Sequence, residues 1–479
     1  MSISDSQISE ILRELKSDLD SPQERKTIED KGCSCISGSN TYGIFDDVND
    51  AIEAACRAQK ELMKLTLVER GKLIESMRQS TRDNAAKLSE MAVAETGYGH
   101  VEHKIAKHLL VANKTPGIED LRSMAVSGDD GLMLTEMAPY GVIGSITPST
   151  NPSATVINNG ISMISAGNAV VFNPHPAAKN VSLEAIRLMN EAIVKAGGPD
   201  NLLCAPKNPT LDTSAVIMSH PKIRMLSVTG GEAVVEVAMK SGKKCIAAGP
   251  GNPPVVVDRT AIIKNAARDI VAGAYYENDI LCIAEKEVLV EDVVADELIR
   301  YMVSEGAYLA NSTELKSIVE TVMITTKDGK TAPNKKFVGK DASYILRKSG
   351  IPTNREYKII ISEVPFDHPL VRTEMLMPVI PITRVSDVDD AIEKAVIAEN
   401  GCHHTAIMHS QNVENLTKMA KAIDTSIFVK NAPSYAGLGL NGEGFTTLTI
   451  ATPTGEGLTS ARSFTRLRRC TLYGSLRII

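Results

Sequence analysis

Cys282 stands in a stretch whose residue types could support nucleophilic chemistry. A helix-forming run, Ile262–Tyr275, precedes it, and a strand-forming run, Lys286–Val290, follows it. The thiol is therefore predicted to lie on a connection beside a sheet, where catalytic groups are commonly displayed. A stabilised thiolate there can act as a nucleophile. Free cysteine is also among the residue types most often buried in a core, so Cys282 on its own allows both interpretations.

The tripeptide Thr229-Gly230-Gly231 directly precedes a helix-forming run, Glu232–Lys240. Two glycines let a backbone approach a ligand, and a helix N-terminus favours a pyrophosphate. A tight turn with ordinary N-capping explains the same residues. No GxGxxG follows the first strand-like run of this region, so the usual dinucleotide fingerprint is absent.

The pair His403-His404 could serve as a base or as a metal site. Apart from the adjacent Cys402, no cysteine or carboxylate falls at a metal-ligand spacing around the pair. We therefore predict no metal site, and a structural or substrate-adjacent role for the two histidines. The eight cysteines of the chain are scattered without a CxxC pair, which predicts no disulfide framework and fits a reducing cytosol.

The elements that must position these residues alternate regularly between positions 140 and 249. Strand-like runs lie at Gly141–Thr147, Ala169–Asn173, Asn201–Cys204, Arg224–Val228 and Lys244–Ala248, and helix-like runs at Ala154–Ser165, Ser182–Ala196, Thr213–Ser219 and Glu232–Lys240. This order is typical of βαβ units, which form a parallel sheet covered by helices on both faces. Ligands of such sheets bind beyond the carboxyl ends of the strands. The tips to consider are Pro148–Asn151, Pro174–Pro176, Thr229–Gly231 and Gly249–Pro254.

Further elements flank this core on both sides. Helices are predicted from Asp46 onward, over Val68–Thr96 and over Val101–Val111, and a hairpin over Leu121–Glu136. A second α/β unit begins at the strand Pro253–Asp258, contains Cys282, and continues through Val293–Ala307, Tyr357–Glu363 and Asp387–Ile397. The lysine- and glycine-rich segment Lys327–Lys340 is predicted to be a surface excursion. A strand-like tail carries Arg462, Arg466, Arg468 and Arg469, which fits a charged edge or a subunit contact.

Length and composition restrict the class of protein. A chain of 479 residues is too long for one small core, which predicts two or three domains. It is 43% hydrophobic and 23% charged with a net charge of −6 and no sustained basic run, so nucleic acid is not an expected partner. No apolar run reaches the roughly 20 residues of a membrane span, and no secretory leader is recognisable. We expect a cytoplasmic protein.

Eight ordered segments carry a resemblance to a known family. They are ETGYG (95–99), ITPSTNPSATVINNGISMISAGNAVVFNPHPAAK (146–179), VTGGEAVVE (228–236), AAGPGNPPVVVD (247–258), CIAEKEV (282–288), RTEMLMPV (372–379), GCHHTAIMHS (401–410) and TPTGEGLTSARSFTRLRRC (452–470). With these segments the chain resembles the aldehyde dehydrogenase superfamily from about Gly43 to its C-terminus. Within that superfamily it is similar to the CoA-acylating acetaldehyde and propionaldehyde dehydrogenases of ethanolamine and propanediol utilisation.

The resemblance implies an α/β, aldehyde dehydrogenase-like fold in three parts. These are a Rossmann-like domain for NAD and CoA (43–115 and 140–248), an α/β catalytic domain (249–440), and small oligomerisation elements (the hairpin 116–139 and the tail 455–479). A homodimer or homotetramer is the expected assembly. Residues 1–42 form an N-terminal extension whose first 20 residues have an amphipathic helical pattern. Relatives carry such extensions as encapsulation peptides, which predicts docking to a bacterial microcompartment shell. A helix that packs on its own domain or on a sister subunit is the alternative.

By the family pattern Cys282 is the nucleophile. Its thiolate attacks the aldehyde carbon to give a thiohemiacetal, whose collapse transfers hydride to the nicotinamide and leaves an acyl-cysteine thioester. The oxyanion hole of the family combines the backbone N–H of the nucleophile with the side-chain amide of an asparagine after the first Rossmann strand, which is Asn151 here. A turn-forming role before Pro152 is the alternative for Asn151.

The family pattern also assigns residues to the cofactor. Glu374 matches the glutamate that holds the nicotinamide ribose, although a salt-bridge or helix-start carboxylate is the alternative. Thr229, Gly230 and Gly231 match the pyrophosphate turn, and Pro148 and Ser149 flank the nicotinamide. At the tip of the next strand, Asn173 and His175 are the expected adenosine-side contacts. Asn173 and Pro176 stand where many members have a lysine and a glutamate, so the choice between NAD and NADP stays open, with NAD favoured.

One departure from the family pattern bears on the second half of the reaction. Hydrolytic members carry a glutamate that activates water against the thioester, and Ala247 occupies its place here. A positioned base contributes roughly 10²–10⁴-fold, so attack by water should be slow. A thiol of pKa about 8.5 needs less help, which favours transfer of the acyl group to CoA.

Two alternatives remain beside an acylating enzyme for acetaldehyde or propionaldehyde. A hydrolytic NAD(P)-dependent aldehyde dehydrogenase would form NADH steadily without CoA. A non-catalytic cargo protein of a microcompartment would show no turnover. A further departure is Glu277-Asn278-Asp279 before Cys282, where the family usually has Asp-Asn-Asn. Because acidic side chains would disfavour a thiolate, we expect Glu277 and Asp279 to face away from the thiol or to contact backbone.

Overall fold

The computed structural model describes residues 42–326, 329 and 331–479. The predicted N-terminal helix therefore lies outside the described residues. The helices are α1 (Val48–Leu62), α2 (Leu67–Thr96), α3 (Val101–Lys114), α4 (Pro152–Ser165), α5 (Lys179–Lys195), α6 (Leu211–Ser219), α7 (Glu232–Lys240), α8 (Ile263–Tyr275), α9 (Asp292–Ser304), α10 (Ser312–Val322), α11 (Ala342–Lys348), α12 (Val388–Glu399) and α13 (Val413–Ile423).

The first sheet has six strands, all parallel. In spatial order they are β1 (Ile44–Phe45), β6 (Leu203–Pro206), β5 (Ala169–Pro174), β4 (Val142–Thr147), β7 (Ile223–Thr229) and β8 (Lys244–Ala248). The chain runs outward from β4 in one direction through β5 and β6, then returns to place β7 and β8 on the other side. The carboxyl ends of β4 and β7 therefore form a topological switch point, the usual ligand crevice of an open α/β sheet.

A second sheet has seven strands, again all parallel. In spatial order they are β11 (Ala307–Leu309), β14 (Ile359–Glu363), β15 (Val379–Val385), β10 (Glu287–Glu291), β9 (Pro254–Val257), β16 (Thr405–His409) and β17 (Ile427–Lys430). Its central strands β9 and β10 are buried throughout, as expected for a parallel sheet with helices on both faces. Cys282 lies on the connection between α8 and β10.

A third, antiparallel sheet stands apart from these two cores. The hairpin β2 (Met124–Gly128) and β3 (Gly131–Pro139) is extended by the C-terminal strand β20 (Thr465–Tyr473). Strand β20 lies at the edge and is exposed over most of its length. Two further strand pairs are β12 (Met323–Thr325) with β13 (Thr331–Pro333), and β18 (Ile450–Ala451) with β19 (Gly457–Leu458).

The predicted alternation of strands and helices between positions 140 and 249 is confirmed element by element, and the hairpin is confirmed as well. The surface excursion predicted for residues 327–340 is wrong for its last part. Phe337 and Val338 are buried, and the Gly339 carbonyl accepts a hydrogen bond of 3.0 Å from the Gly99 N–H. Phe337 and Val338 are apolar within an otherwise polar segment, and their burial places this part of the segment in the protein interior.

Helix α4 fixes the loop that follows β4. Every residue from Pro152 to Ser165 is buried, which is the pattern of a helix enclosed on all sides. Two of its polar side chains are held by neighbouring segments, since Asn158 donates to Thr115 Oγ1 at 3.0 Å and Asn159 accepts from Thr449 Oγ1 at 3.0 Å. The start of this helix is thus held rigidly beside the switch point. Among the described residues no helix combines the length and the apolarity of a bilayer span.

Candidate active site

The turn that leads to Cys282 has an unusual backbone. Glu277, Asn278 and Asp279 have φ values of 58°, 54° and 60°, so three consecutive residues with side chains occupy the left-handed region. Asparagine visits this region readily, but a glutamate does so at a cost of about 1 kcal/mol or more. The surrounding structure must therefore hold the turn, and two of its three side chains, Glu277 and Asn278, are bound by distant parts of the chain.

Asn278 and Glu277 attach the turn to two different neighbours. The Asn278 amide donates to the Gly339 carbonyl at 3.1 Å and to Asp341 at 2.7 Å, and its oxygen accepts from His100 at 2.9 Å. Glu277 lies under the ETGYG segment, because a Cβ added at Gly99 would come within 3.1 Å of its carboxyl group. Gly99 also has a φ of +64°. A glycine is therefore needed there both for space and for conformation.

Glu277 is fully buried between two lysines of α3. Its Oε2 accepts from Lys104 Nζ at 2.5 Å and from Lys107 Nζ at 2.9 Å. Burial raises the pKa of Glu277, but the charges and hydrogen bonds of Lys107 and Lys104 outweigh it, so the pKa is held below its usual value. Burial lowers the pKa of Lys107 to about 8, with Lys104 adding to the shift and Glu277 opposing it. This side of the turn is an ionised cluster with two cations and one carboxylate.

Asp279 belongs to a different cluster. Lys286 lies 3.1 Å from its carboxylate and donates to the carbonyls of Asp279 and Leu281 at 2.7 and 3.1 Å. Burial raises the pKa of Asp279 well above its usual value in spite of this lysine. Glu277 and Asp279 were expected to face away from the thiol or to contact backbone; each carboxylate is directed to a buried lysine and not to backbone, Glu277 to Lys104 and Lys107 and Asp279 to Lys286.

Asn151 follows β4 and begins α4, but its side chain does not cap that helix. Instead its Oδ1 accepts a 2.6 Å hydrogen bond from Lys107 Nζ. The turn-forming alternative therefore does not account for the side chain. Through Lys107 and Glu277, Asn151 is connected to the turn that holds Cys282.

Cys282 is half-buried and keeps its proton. Burial, together with the charge of Glu374, raises the pKa of its thiol to about 12, against the opposing effects of Lys286 and the neighbouring backbone N–H groups. Reaction as a nucleophile therefore requires that the proton leave to an acceptor. Two acceptors, Glu374 and His404, lie close to the backbone of Cys282.

Glu374 and His404 both come close to the backbone of Cys282 at Gly251. The Gly251 N–H donates to Glu374 Oε1 at 3.2 Å. A Cβ added at Gly251 would lie 2.6 Å from the Cys282 carbonyl oxygen and 2.9 Å from the His404 ring. Only glycine lets these three groups converge. Burial raises the pKa of Glu374 to about 7, so this carboxylate exchanges a proton near neutrality.

His404 is the functional candidate that sequence reasoning left without a specific role. Burial, with a smaller effect of Lys286, lowers its pKa to about 4, so the ring is neutral. Its Nδ1 lies 2.9 Å from Thr405 Oγ1, and its Nε2 is buried with no hydrogen-bond partner among the described residues. His403, by contrast, is exposed and contacts the Asp424 carbonyl at 2.9 Å. No signal in the pair distinguished one histidine from the other.

Ala247, the position predicted to lack a water-activating base, contributes only a buried methyl group. Ala247 is completely buried in β8, and its N–H donates to Thr454 Oγ1 at 3.1 Å. Strand β8 leads directly to Gly251 and so to the Cys282 carbonyl. Where hydrolytic members carry a glutamate, this strand therefore offers no carboxylate.

The cofactor residues predicted at the switch point lie together. Pro148 and Ser149 follow β4 and are partly exposed, and Thr229 ends the adjacent strand β7. Gly231 carries no side-chain cap for α7, and a Cβ added there would meet nothing within 4 Å. The open backbone at Gly230 and Gly231 suits the close approach of a diphosphate.

Asn173 is not arranged as a cofactor contact, which corrects the prediction. Its buried amide nitrogen donates to the Thr210 carbonyl at 3.1 Å and to Ser214 Oγ at 2.6 Å. Its oxygen accepts from Thr213 at 2.6 Å. It ties β5 to α6. His175 is exposed at the tip of β5, and its Nδ1 accepts from the Ala177 N–H at 3.1 Å. Within the described ranges, no three histidine, cysteine or acidic side chains are grouped as a metal site would require.

Comparison with known proteins places this geometry in a family. The model of the aldehyde dehydrogenase family matches residues 38–441. The chain belongs to the aldehyde dehydrogenase family. This confirms the family assignment and the fold class predicted from the sequence.

Several similar aldehyde dehydrogenases are CoA-acylating. The chain is 50% identical over 440 residues to the acetylating acetaldehyde dehydrogenase EutE of Salmonella typhimurium, covering 91% of this chain and 94% of that one. It is 47% identical to a CoA-propanoylating propanal dehydrogenase of Citrobacter freundii, covering 91% and 94%.

Two solved structures extend the comparison. A propionaldehyde dehydrogenase of Rhodopseudomonas palustris, with bound CoA and an acylated cysteine, superimposes with a TM-score of 0.89 at 48% identity, covering 91% of this chain and 100% of that one. A propionaldehyde dehydrogenase from the fucose utilisation microcompartment of Clostridium phytofermentans gives 0.89 at 51% identity, with the same coverage.

Proposed function

We propose that this protein oxidises a short aldehyde, acetaldehyde or propionaldehyde, and transfers the acyl group to CoA through a thioester on Cys282. The observation that carries the proposal is the setting of Cys282. The thiol is half-buried, the backbone of Cys282 lies close to two proton acceptors, Glu374 and His404, and Ala247 stands where hydrolytic relatives have a water-activating base. The acylated cysteine of the similar propionaldehyde dehydrogenase supports the same role.

The residues at the switch point fit a nicotinamide dinucleotide. The uncapped backbone at Gly230 and Gly231 would hold the diphosphate, Pro148 and Ser149 would flank the nicotinamide, and the Oε2 of Glu374 would accept from a ribose hydroxyl. When bound, the cofactor supplies a hydride acceptor. NAD and CoA are the expected pair.

Acylation begins with loss of the Cys282 proton. Glu374, with a pKa of about 7, is poised to take it near neutrality. The sulfur then forms a bond to the aldehyde carbon, and the carbonyl oxygen becomes an alkoxide. The Asn151 amide N–H and the Cys282 backbone N–H would stabilise that negative charge, and one such preorganised donor contributes about 3–4 kcal/mol.

Deacylation replaces the sulfur of Cys282 with the sulfur of CoA. The CoA thiol gives up its proton, attacks the thioester carbon, and releases the Cys282 thiolate, which recovers a proton. His404, neutral and with a free buried Nε2, can accept the proton of the incoming thiol. Water lacks a comparable helper at Ala247, so thiol attack is favoured over hydrolysis.

NADH formation with and without CoA tests the proposal. Acetaldehyde and propionaldehyde should give sustained NADH absorbance with CoA, and without CoA a single burst of at most one equivalent per Cys282. Cys282→Ala should abolish both. Cys56→Ala, which removes a half-buried thiol in α1, is the matched control and should behave like the unmodified protein.

Each alternative function predicts a different result in this assay. Sustained NADH formation without CoA would establish the hydrolytic activity instead. Absence of turnover, together with a Cys282 that no short aldehyde acylates, would leave a non-catalytic cargo protein.

The proposal extends to domains, assembly and location. We retain the cofactor domain (43–115 and 140–248), the catalytic domain (249–440) and the oligomerisation elements (116–139 and 455–479). The exposed edge strand Thr465–Tyr473 carries apolar Leu467, Leu472 and Tyr473, which suits pairing in a homodimer or homotetramer. A microcompartment location, with docking to the shell through residues 1–42, is supported by the fucose-utilisation relative.

A further inference from the structure

The side chain that holds Asn151 is a buried lysine with few other contacts. Lys107 Nζ donates to Asn151 Oδ1 at 2.6 Å and to Glu277 Oε2 at 2.9 Å. Its side chain is 4% exposed, and the Glu277 side chain is not exposed at all. A lysine so enclosed is rare unless it is paired. Glu277 supplies that pairing, and the contact to Asn151 comes in addition to it.

The chemistry of the two groups determines which way the Asn151 amide points. An ammonium group has three donors and no acceptor. Only the oxygen of the amide can face Lys107, since the reversed amide would set donors against donors. The Asn151 nitrogen is therefore turned away from α3, and the described residues offer it no hydrogen-bond partner. It is free to donate to an oxygen of the substrate.

The same lysine also makes Asn151 a stronger donor. Lys104 and Lys107 share one carboxylate, so the cluster keeps an uncompensated positive charge inside the protein. A cation hydrogen-bonded to the amide oxygen draws electron density from the amide nitrogen and polarises its N–H. Where water is excluded, such polarisation has a larger effect than it has in solvent.

We infer that Lys107 is a positioning residue for the oxyanion hole, orienting and polarising Asn151. Glu277 in turn fixes the position of this donor relative to Cys282. This rests on the proposed function, in which Asn151 stabilises the alkoxide. Glu277 begins the left-handed turn that ends at Asp279, three residues before the nucleophile. One buried ion pair thus anchors both oxyanion donors, the Asn151 amide and the Cys282 N–H.

A matched control is present one helical turn away. Lys104 is equally buried and donates to the same Glu277 Oε2, but it has no hydrogen bond to Asn151. Lys104→Met and Lys107→Met each remove one of the two lysines from Glu277. Only Lys107→Met also releases the Asn151 amide. Both variants should lower the melting temperature to a similar degree, while only one should slow acylation strongly.

The decisive experiment uses an acylation that needs no nicotinamide. Cys282 attacks p-nitrophenyl acetate, the sulfur–carbon bond forms through a tetrahedral oxyanion, and the ester C–O bond breaks to release p-nitrophenolate while the thiol proton passes to a base. Single-turnover release at 400 nm should fall about 10²-fold in Lys107→Met at saturating ester. The half-saturating ester concentration should be unchanged, and Lys104→Met should stay within about threefold.

A double-mutant cycle tests whether the lysine acts through the asparagine. Asn151→Ala should itself slow acylation by about 10²–10³-fold, and adding Lys107→Met should then slow it by less than about threefold. A full additional loss in the Asn151→Ala background would overturn the inference. Equal rates for Lys107→Met and Lys104→Met would overturn it as well.

Two further measurements separate folding and function from the inference. If Lys107→Met does not fold, Lys107→Gln, which keeps a donor without the charge, replaces it in the cycle and should retain part of the rate. If the unmodified protein is acylated by the ester with the predicted lysine dependence but forms no acyl-CoA from aldehyde, the proposed function fails and the inference stands. If acyl-CoA forms but the two lysine variants are equivalent, the inference alone fails.

Discussion

Two buried lysine–carboxylate clusters flank Cys282, and they have opposite charge balance. On the Asn151 side, Lys104 and Lys107 face the single carboxylate of Glu277, whose pKa is held low. On the thiol side, Lys286 is paired with Asp279, and its charge also acts on the buried carboxyl groups of Glu285, Glu287 and Glu374, each of which has a raised pKa.

The difference corresponds to the charge that each side must meet during the proposed reaction. An excess of cations suits an oxygen that becomes negative, so the Asn151 side is arranged for the alkoxide. An excess of carboxyl groups keeps protons bound, so the thiol side holds Cys282 as a neutral thiol and provides Glu374 to receive its proton. Four predictions test this contrast, from the largest expected effect to the smallest.

Removal of Lys286 should destabilise the protein more than removal of Lys104. Lys286→Met removes one partner of a buried pair and leaves the carbonyls of Asp279 and Leu281 without their donor, a loss that typically costs about 3–5 kcal/mol. In Lys104→Met, Glu277 keeps Lys107, so the loss should be clearly smaller. The shift of the urea midpoint measures both. Asp279→Asn added to Lys286→Met should restore part of the loss, and equal destabilisation by the two single variants would show that the charge balance does not differ.

Replacing Asn151 by its isosteric acid should separate stability from catalysis. In Asn151→Asp the carboxylate still accepts from Lys107, so the melting temperature should be maintained. The N–H donor is lost and a negative charge stands where the alkoxide forms, so NADH formation in the presence of aldehyde and CoA should fall by at least about 10²-fold. Near-normal turnover would remove Asn151 from the oxyanion hole.

The thiol side predicts an unusual pH profile for alkylation of Cys282 in the absence of cofactor. Because the pKa of the thiol is raised to about 12, the thiolate fraction should rise about tenfold per pH unit from pH 7 to pH 9.5. An ordinary thiol would begin to level off near pH 8.5. Iodoacetamide labelling followed by peptide mass spectrometry measures the rate, with Cys282→Ala as the background. A plateau below pH 8 would contradict the raised pKa.

The smallest effect is expected from Glu374. The charge of Glu374 raises the pKa of Cys282 in addition to burial, so Glu374→Gln should increase the thiolate fraction at pH 8, and with it the rate of iodoacetamide labelling, by about a few-fold. Acylation by aldehyde, in which Glu374 takes the thiol proton, should instead become slower in the same variant. Glu443→Gln, on the exposed surface, is the control. The same variant tests whether Glu374 activates water. If the acyl group on Cys282 is lost faster in the unmodified protein than in Glu374→Gln, Glu374 assists hydrolysis.

The hydrophobic patterns of individual segments were sufficient to predict much of the fold. The apolar runs Val142–Thr147 and Ala169–Pro174, separated by an apolar helix, read correctly as parallel strands because strands buried on both faces need no polar alternation. The place of Cys282 between a helix and a strand predicted a connection beside a sheet, and the resemblance to the family made it the candidate nucleophile. For Asn173, the same reasoning identified the correct strand tip but not the direction of the side chain, which turns to Ser214 and Thr213.

What the sequence by itself determined is the order of the elements and the residue types at the strand ends, because hydrophobic period and turn chemistry are local properties. Tertiary structure alone decided the contacts that arrange the site. Lys107 and Glu277 are 170 positions apart, and Gly251 and His404 belong to separate strand connections. A left-handed Glu277 is unfavourable locally and persists because two buried lysines hold its carboxylate. That balance exists only once the chain has folded.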